Sequence, residues 1–318
     1  MLNRIGTFVG HKGAVWQARL TNDAALAATA SADFTCKIWD TFTGENLETL
    51  THNHIVRAVH FDPEAQHVVT GGPEKKLRIF DLHQPATPIE LGPSAHDGTI
   101  KCVVWSEPNV VISAADDRKI RWFDTRSRDL IDKFAVDHPI GSCELSSGGN
   151  VLCATAGKSV YFFDARSRRL LKSVATQYDV SSVGLHSDTR KFVAGGTSDT
   201  WVRIYDFDTE QELDVYKGHH GSIWSVAFSP DGKLYATGSE DGTIKLVGCG
   251  YFCLNRTETN GLCKIVEVWV TAIRAMAIGR RFWTWSMNMD CGRSCYHSLT
   301  DLAPSHSGSS RLNKGVSL

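Results

Sequence analysis

Two histidine–aspartate pairs with hydroxyl residues between them are the side chains of this sequence best suited to chemistry. His11 and Asp33 flank Thr29 and Ser31, and His219 and Asp241 flank Thr237 and Ser239. A hydroxyl activated by a His–Asp pair is a nucleophile, so the first reading is a hydrolase. Two more aspartates, Asp117 and Asp199, sit at the same place relative to a following aromatic residue. The late cysteines Cys249, Cys253, Cys263, Cys291 and Cys295, with His297, suggest zinc, but their spacings match no common structural zinc pattern. Thr237-Gly238-Ser239-Glu240-Asp241-Gly242 reads as a strand and turn, not a phosphate-cradling loop. The sequence therefore implies no metal, no cofactor and no cofactor-binding residue.

The elements that must position these groups recur. Strand-like segments end in an aromatic–Asp pair at Trp39-Asp40, Phe80-Asp81, Phe123-Asp124, Phe163-Asp164 and Tyr205-Asp206, with the aromatics 41, 43, 40 and 42 residues apart. A further 42 residues leads to Val247, where an aromatic is due. An acidic residue stands six positions before that point in five of the repeats (Asp33, Glu74, Asp117, Asp199, Asp241), and Gly157 stands there in the fourth. Each unit also carries an apolar strand such as Val15/Ala18/Leu20 or Ile223/Val226/Phe228, a tight turn, and a small-residue strand such as Ala27–Ser31. Four short strands per repeat, repeated radially, predict an all-β propeller. The repeats end near 39, 80, 123, 163, 205 and 247, and residues 248–318 form a non-repeat, poorly ordered tail.

This periodicity changes the reading of the His–Asp sets. A catalyst needs one site, whereas these residues recur blade after blade, where His, Asp, hydroxyl and indole N–H can satisfy one another. His11, Asp33, Trp39, Asp117, Asp199, His219 and Asp241 are accordingly expected to brace blades, and no residue is expected to be catalytic. The residue after the leading apolar position of each first strand should fall near one mouth of the central channel. Those residues are Trp16, Arg57, Lys101, Gly141, Ser181 and Trp224. If the ring closes, Trp224 neighbours Trp16, and Trp16, Arg57, Lys101 and Trp224 make an arc suited to a protein partner.

Net charge, −1 over 318 residues, gives no electrostatic footprint for nucleic acid, and no RNA-binding motif is present. The apolar stretch Ile265 to Gly279 is interrupted by Glu267 and Arg274 and is too short to span a bilayer. Met1 to Gly10 lacks a secretory pattern, which predicts a cytoplasmic and nuclear protein with reduced thiols and an idle sequon at Asn255-Arg256-Thr257.

Several segments resemble the WD-repeat family of serine/threonine-kinase-receptor-associated proteins over about residues 4–246. They include Ile5-Gly6-Thr7-Phe8-Val9-Gly10-His11-Lys12-Gly13-Ala14-Val15-Trp16, Ala28-Thr29-Ala30-Ser31-Ala32-Asp33-Phe34-Thr35, Val69-Thr70-Gly71-Gly72, Leu77-Arg78-Ile79-Phe80-Asp81-Leu82 and Tyr216-Lys217-Gly218-His219. The resemblance implies a seven-bladed, non-enzymatic adaptor associated with the survival-of-motor-neuron complex. It also implies roles in spliceosomal ribonucleoprotein assembly and messenger-RNA processing, with links to receptor-kinase signalling. A WD-repeat subunit of a translation initiation factor is the alternative. Six repeats are recognisable here, the last incomplete. Residues before Gly10 read as the last strand of a further repeat and could close a smaller ring on the sixth. Ile265 to Ala272 could form a makeshift strand. The departure after Leu246 suggests a tail translated from an alternative exon or retained intron.

Overall fold

The computed structural model describes residues 8–92 and 95–248; expectations about residues 1–7 and 249–318 lie outside them. Among the described residues there is no helix, and 23 strands form six antiparallel sheets, five of four strands and one of three. The inner strands are β1 (Val15–Leu20), β5 (Ala58–Phe61), β9 (Ile100–Glu107), β13 (Ile140–Leu145), β17 (Val180–His186) and β21 (Ile223–Phe228), each packed on the next. The aromatic–Asp pairs close the third strand of their sheets, at Asp40, Asp81, Asp124, Asp164 and Asp206. The sixth sheet keeps its third strand, Ile244–Gly248, and has no fourth among the described residues.

The local sequence explains these elements. Second strands are built of small residues because sheets cover both their faces: Ala27, Ala28 and Ala30 are fully buried. Each aspartate of an aromatic–Asp pair folds the turn that follows it, accepting a backbone N–H two or three residues on, and in three of the five accepting both. Asp40 Oδ1 takes those of Phe42 and Thr43 at 2.8 Å, and Asp206 Oδ1 takes those of Asp208 and Thr209 at 3.0 and 2.8 Å.

Apolar cores lie between sheets. One joins the first and second (Ile38, Leu50, Val59, Phe80), and others join each later sheet to the next, ending with Val193, Ile223 and Tyr235 between the fifth and sixth. Six sheets thus share five such cores, and among the described residues none joins the sixth sheet to the first. The sheets nevertheless wrap around an axis. Arg19 Nη2 of β1 meets Glu144 Oε1 of β13 at 3.0 Å, linking the first sheet to the fourth across the centre. The architecture is a six-bladed propeller whose blades were legible as a forty-residue period.

Candidate functional site

His11 lies in the turn before β1, and Asp33 and Thr29 lie on the small-residue strand and its following turn. His11 Nδ1 is 2.8 Å from Asp33 Oδ2 and Nε2 is 2.6 Å from Thr29 Oγ1, while Trp39 Nε1 donates to the same hydroxyl at 2.7 Å. A neutral imidazole protonated at Nδ1 satisfies all three: it donates to Asp33, accepts from Thr29, and leaves the Thr29 oxygen to accept the indole N–H. Burial drives the His11 pKa below its ordinary value. Burial alone would raise Asp33, but donation from Thr35, the Lys12 N–H and His11 outweighs it and pulls the carboxyl to about 2. Of the two hydroxyls open in the sequence, Thr29 joins the network, and Ser31 instead donates to the Gly13 carbonyl at 3.2 Å.

The sixth sheet repeats the arrangement, with His219 Nδ1 at 3.0 Å from Asp241 and Nε2 at 2.9 Å from Thr237. Val247 supplies no indole there. The third sheet adds His96, which meets Asp117 Oδ2 at 3.0 Å and Ser113 at 2.6 Å. The sequence reading omitted His96 and Ser113, although the 21-residue separation of His96 from Asp117 was a usable signal. In the second sheet His52 bonds Thr70 at 2.9 Å, and Glu74 accepts the Asn53 and His54 N–H groups at 3.0 and 3.1 Å.

The brace does not occur in every blade, which corrects the sequence expectation. The fourth and fifth sheets place Ala154 and Ala194 where Thr29 stands, with Val136 and Thr176 at the position of His11. Asp199 pairs with Arg203 at 2.6 Å instead of with an imidazole. Arg203 also lies 3.9 Å over the Tyr178 ring, and the Tyr178 and Tyr205 hydroxyls bond at 3.0 Å. With no hydroxyl to hold, this blade is fastened by a cation and two phenols.

The hydroxyl–His–Asp geometry superficially matches a catalytic triad, but its oxygen is committed. Thr29 is 4% exposed and its hydroxyl already serves both His11 and Trp39. Thr29→Val should cost about 2–4 kcal/mol because it strands an imidazole nitrogen and an indole N–H together. Thr237→Val strands only the imidazole and should cost about half as much. Urea unfolding of the two variants reads the difference. Cys36, Cys143 and Cys153 are free thiols whose pKa burial pushes up, the reverse of nucleophile activation. No group of three or more metal-ligating side chains occurs among the described residues, and no described helix is long and apolar enough to cross a membrane.

The channel mouth is the second candidate. In the first-to-second strand pairings, register slips leave Trp16, Lys101, Ser181 and Trp224 each as the unpaired residue of a bulge, and in the fourth sheet Gly141 is unpaired together with Ser142. Bulges re-aim side chains, and here they do so at equivalent positions around the axis. The Arg57 guanidinium lies 4.6 Å over the Trp16 ring, a cation–π contact, while Lys101 Nζ pairs with Asp116 at 3.0 Å. The structure thus unites Trp16 with Arg57. It does not bring Trp224 to Trp16: no ring contact joins them among the described residues, because the side without an apolar core falls between β21 and β1. The Trp16 and Trp224 indole N–H groups are covered and find no acceptor among the described residues.

Comparison with known proteins agrees with this geometry. The family described as WD domain, G-beta repeat matches residues 2–40, 44–81, 90–124 and 210–247. These segments contain the four His–hydroxyl pairs, and the unmatched fourth and fifth blades lack them. The chain is 43% identical over 242 residues to the serine-threonine kinase receptor-associated protein of Gallus gallus, covering 76% of this chain and 69% of that one. Identity to the Dictyostelium discoideum protein of that name is 47% over 244 residues, covering 76% and 82%. Eukaryotic translation initiation factor 3 subunit I of Oryctolagus cuniculus is more distant, at 28% over 269 residues and 76% and 80% coverage. With its blades, braces and these identities together, the chain belongs to the WD-repeat family of serine-threonine kinase receptor-associated proteins.

Proposed function

We propose that this protein is a non-enzymatic adaptor that binds other proteins at the inner-strand mouth of its propeller. Its setting is survival-of-motor-neuron-complex-linked spliceosomal ribonucleoprotein assembly and messenger-RNA processing, in cytoplasm and nucleus. The observation that carries the binding role is the set of bulges that present Trp16, Lys101 and Trp224 at equivalent positions, with Arg57 stacked on Trp16. Tryptophan and arginine supply most interface hot spots, and the half-buried Trp16 and Trp224 rings offer a partner that kind of contact. The buried hydroxyls, engaged in braces, favour structure over catalysis. The ribonucleoprotein setting is what the sequence resemblance implies, and receptor-kinase signalling is a further setting suggested by the relatives' name.

The similarity to initiation factor 3 subunit I favours a second reading, a subunit of a translation initiation factor. Affinity capture of the full chain followed by protein identification separates the two. Recovery of ribonucleoprotein-assembly proteins is expected, and recovery of initiation-factor subunits in their place would overturn the first reading. Serine-reactive probes should leave the folded chain unlabelled; labelling at Thr29 or Thr237 would overturn the non-enzymatic role.

A further inference from the structure

The outer strands of the third blade carry an arrangement of charge that no other blade shares. Arg121 on β11 (Lys119–Asp124) stands directly opposite Lys133 on β12 (Leu130–Ala135). Equivalent pairs elsewhere are compatible: Arg78 faces Glu90 and bonds it at 3.4 Å, Lys37 faces Thr49 at 2.8 Å, Tyr161 faces Ser173 and Arg203 faces Val215. Like charges directly across a ladder destabilise a sheet unless an anion lies between them. These two line a cavity of about 270 Å3 with Lys119 and Arg128, against a single carboxylate, Asp129. Arg121 is partly spoken for, by the Ala95 carbonyl, by Asp117 at 3.4 Å and by Asp97 at 3.7 Å. Its Nε is covered as well, so the groups of the cavity that a ligand reaches are the exposed Lys133 and Arg128. Lys119 pairs with Asp97 at 3.6 Å, whereas Arg128 and Lys133 form no ion pair among the described residues. The cavity has an apolar wall as well, Phe123 and the 45%-exposed Leu130.

We propose that this cavity is a second docking site, on the outer rim and separate from the channel mouth, for an acidic peptide segment of a partner protein. A partner carboxylate sits between the exposed Lys133 and Arg128, with Arg121 behind them adding positive field, and an adjoining leucine-type side chain covers Leu130. Arg128 offers the planar fork that matches a carboxylate. RNA fits less well: Phe123 is 2% exposed and offers no face for base stacking, and the chain's net charge of −1 supplies no general attraction to phosphate.

Fluorescence anisotropy on the full chain tests this with a labelled peptide alternating glutamate pairs with leucine, and with a labelled oligouridylate of similar length. Lys133→Glu gives Arg121 the cross-strand carboxylate that Glu90 gives Arg78. It should weaken the peptide at least about tenfold while leaving the thermal midpoint equal or higher. Arg128→Gln should weaken the peptide several-fold without altering folding. Failure of the unsubstituted chain to bind the peptide would overturn the proposal, as would equal binding by Lys133→Glu. Oligouridylate binding tighter than the peptide and lost in Lys133→Glu would assign the cavity to nucleic acid and overturn it equally.

Discussion

Between pH 7 and pH 4 the protein should lose about 4 kcal/mol of stability, most of it from two histidines. Burial, reinforced by Arg78, lowers the His52 pKa to about 4; burial, reinforced by Arg19, does the same for His60. Both rings are neutral in the folded protein over a range in which the unfolded chain would protonate them. Their contribution is therefore fully present above about 6.5, the unfolded value, and is lost as pH falls toward 4. A drop of this size is worth about 3 kcal/mol per ring, and partial water access to both trims each to about 2. Lowered pKa values of His11, His96 and His219 act in the same direction. The aspartates act lower: Asp33 and Asp241 are held at about 2, so their contribution persists above about 4 and disappears between there and 2. Urea midpoints at pH 7, 5.5 and 4 should fall steadily, and His60→Gln should flatten the curve. A flat curve in the unsubstituted chain would contradict the buried, neutral state of both rings.

Trp39→Ala should cost about 4 kcal/mol, the largest loss from a single side chain in the first blade. Trp39 is 0% exposed, with Phe8 5.4 Å and His11 5.9 Å from its ring. Truncation opens a cavity too large for its neighbours to fill and also removes the donor to Thr29. Trp39→Phe keeps most of the volume and forfeits only the hydrogen bond, so it should cost about 1–2 kcal/mol. Equal losses in the two variants, measured by urea unfolding, would mean that packing contributes little at this position.

Periodicity disclosed the blades because each must hide two apolar faces with the same few strands, so the pattern repeats with the fold. It disclosed His11, Asp33 and Trp39 together for the same reason. It failed where a blade is fastened differently: Asp199 keeps its place in the pattern, yet without a histidine upstream its partner is Arg203, four residues away and readable only as geometry. Arg19 and Glu144 are 125 residues apart, and their meeting depends on how far the blades turn about the axis, which no local spacing encodes. The pairing of Arg121 with Lys133 depends on register, and a register slip next to it, between Trp122 and Phe123, alters that alignment. Trp16 and Arg57 were legible as neighbours because their blades are consecutive. The expected closeness of Trp224 to Trp16 spans the first and last blades, and no ring contact joins the two among the described residues.

The docking role stands on the channel mouth, and one comparison reaches it directly. The full chain and its Trp16→Ala/Trp224→Ala variant, matched for folding by urea midpoint and circular dichroism, should be used to capture proteins from the same extract. The partially exposed indoles make a folded variant attainable, and the account expects it to lose most of the partners that the unsubstituted chain retains. A folded variant that retains the same partners in the same amounts would show that the mouth is not where this protein binds.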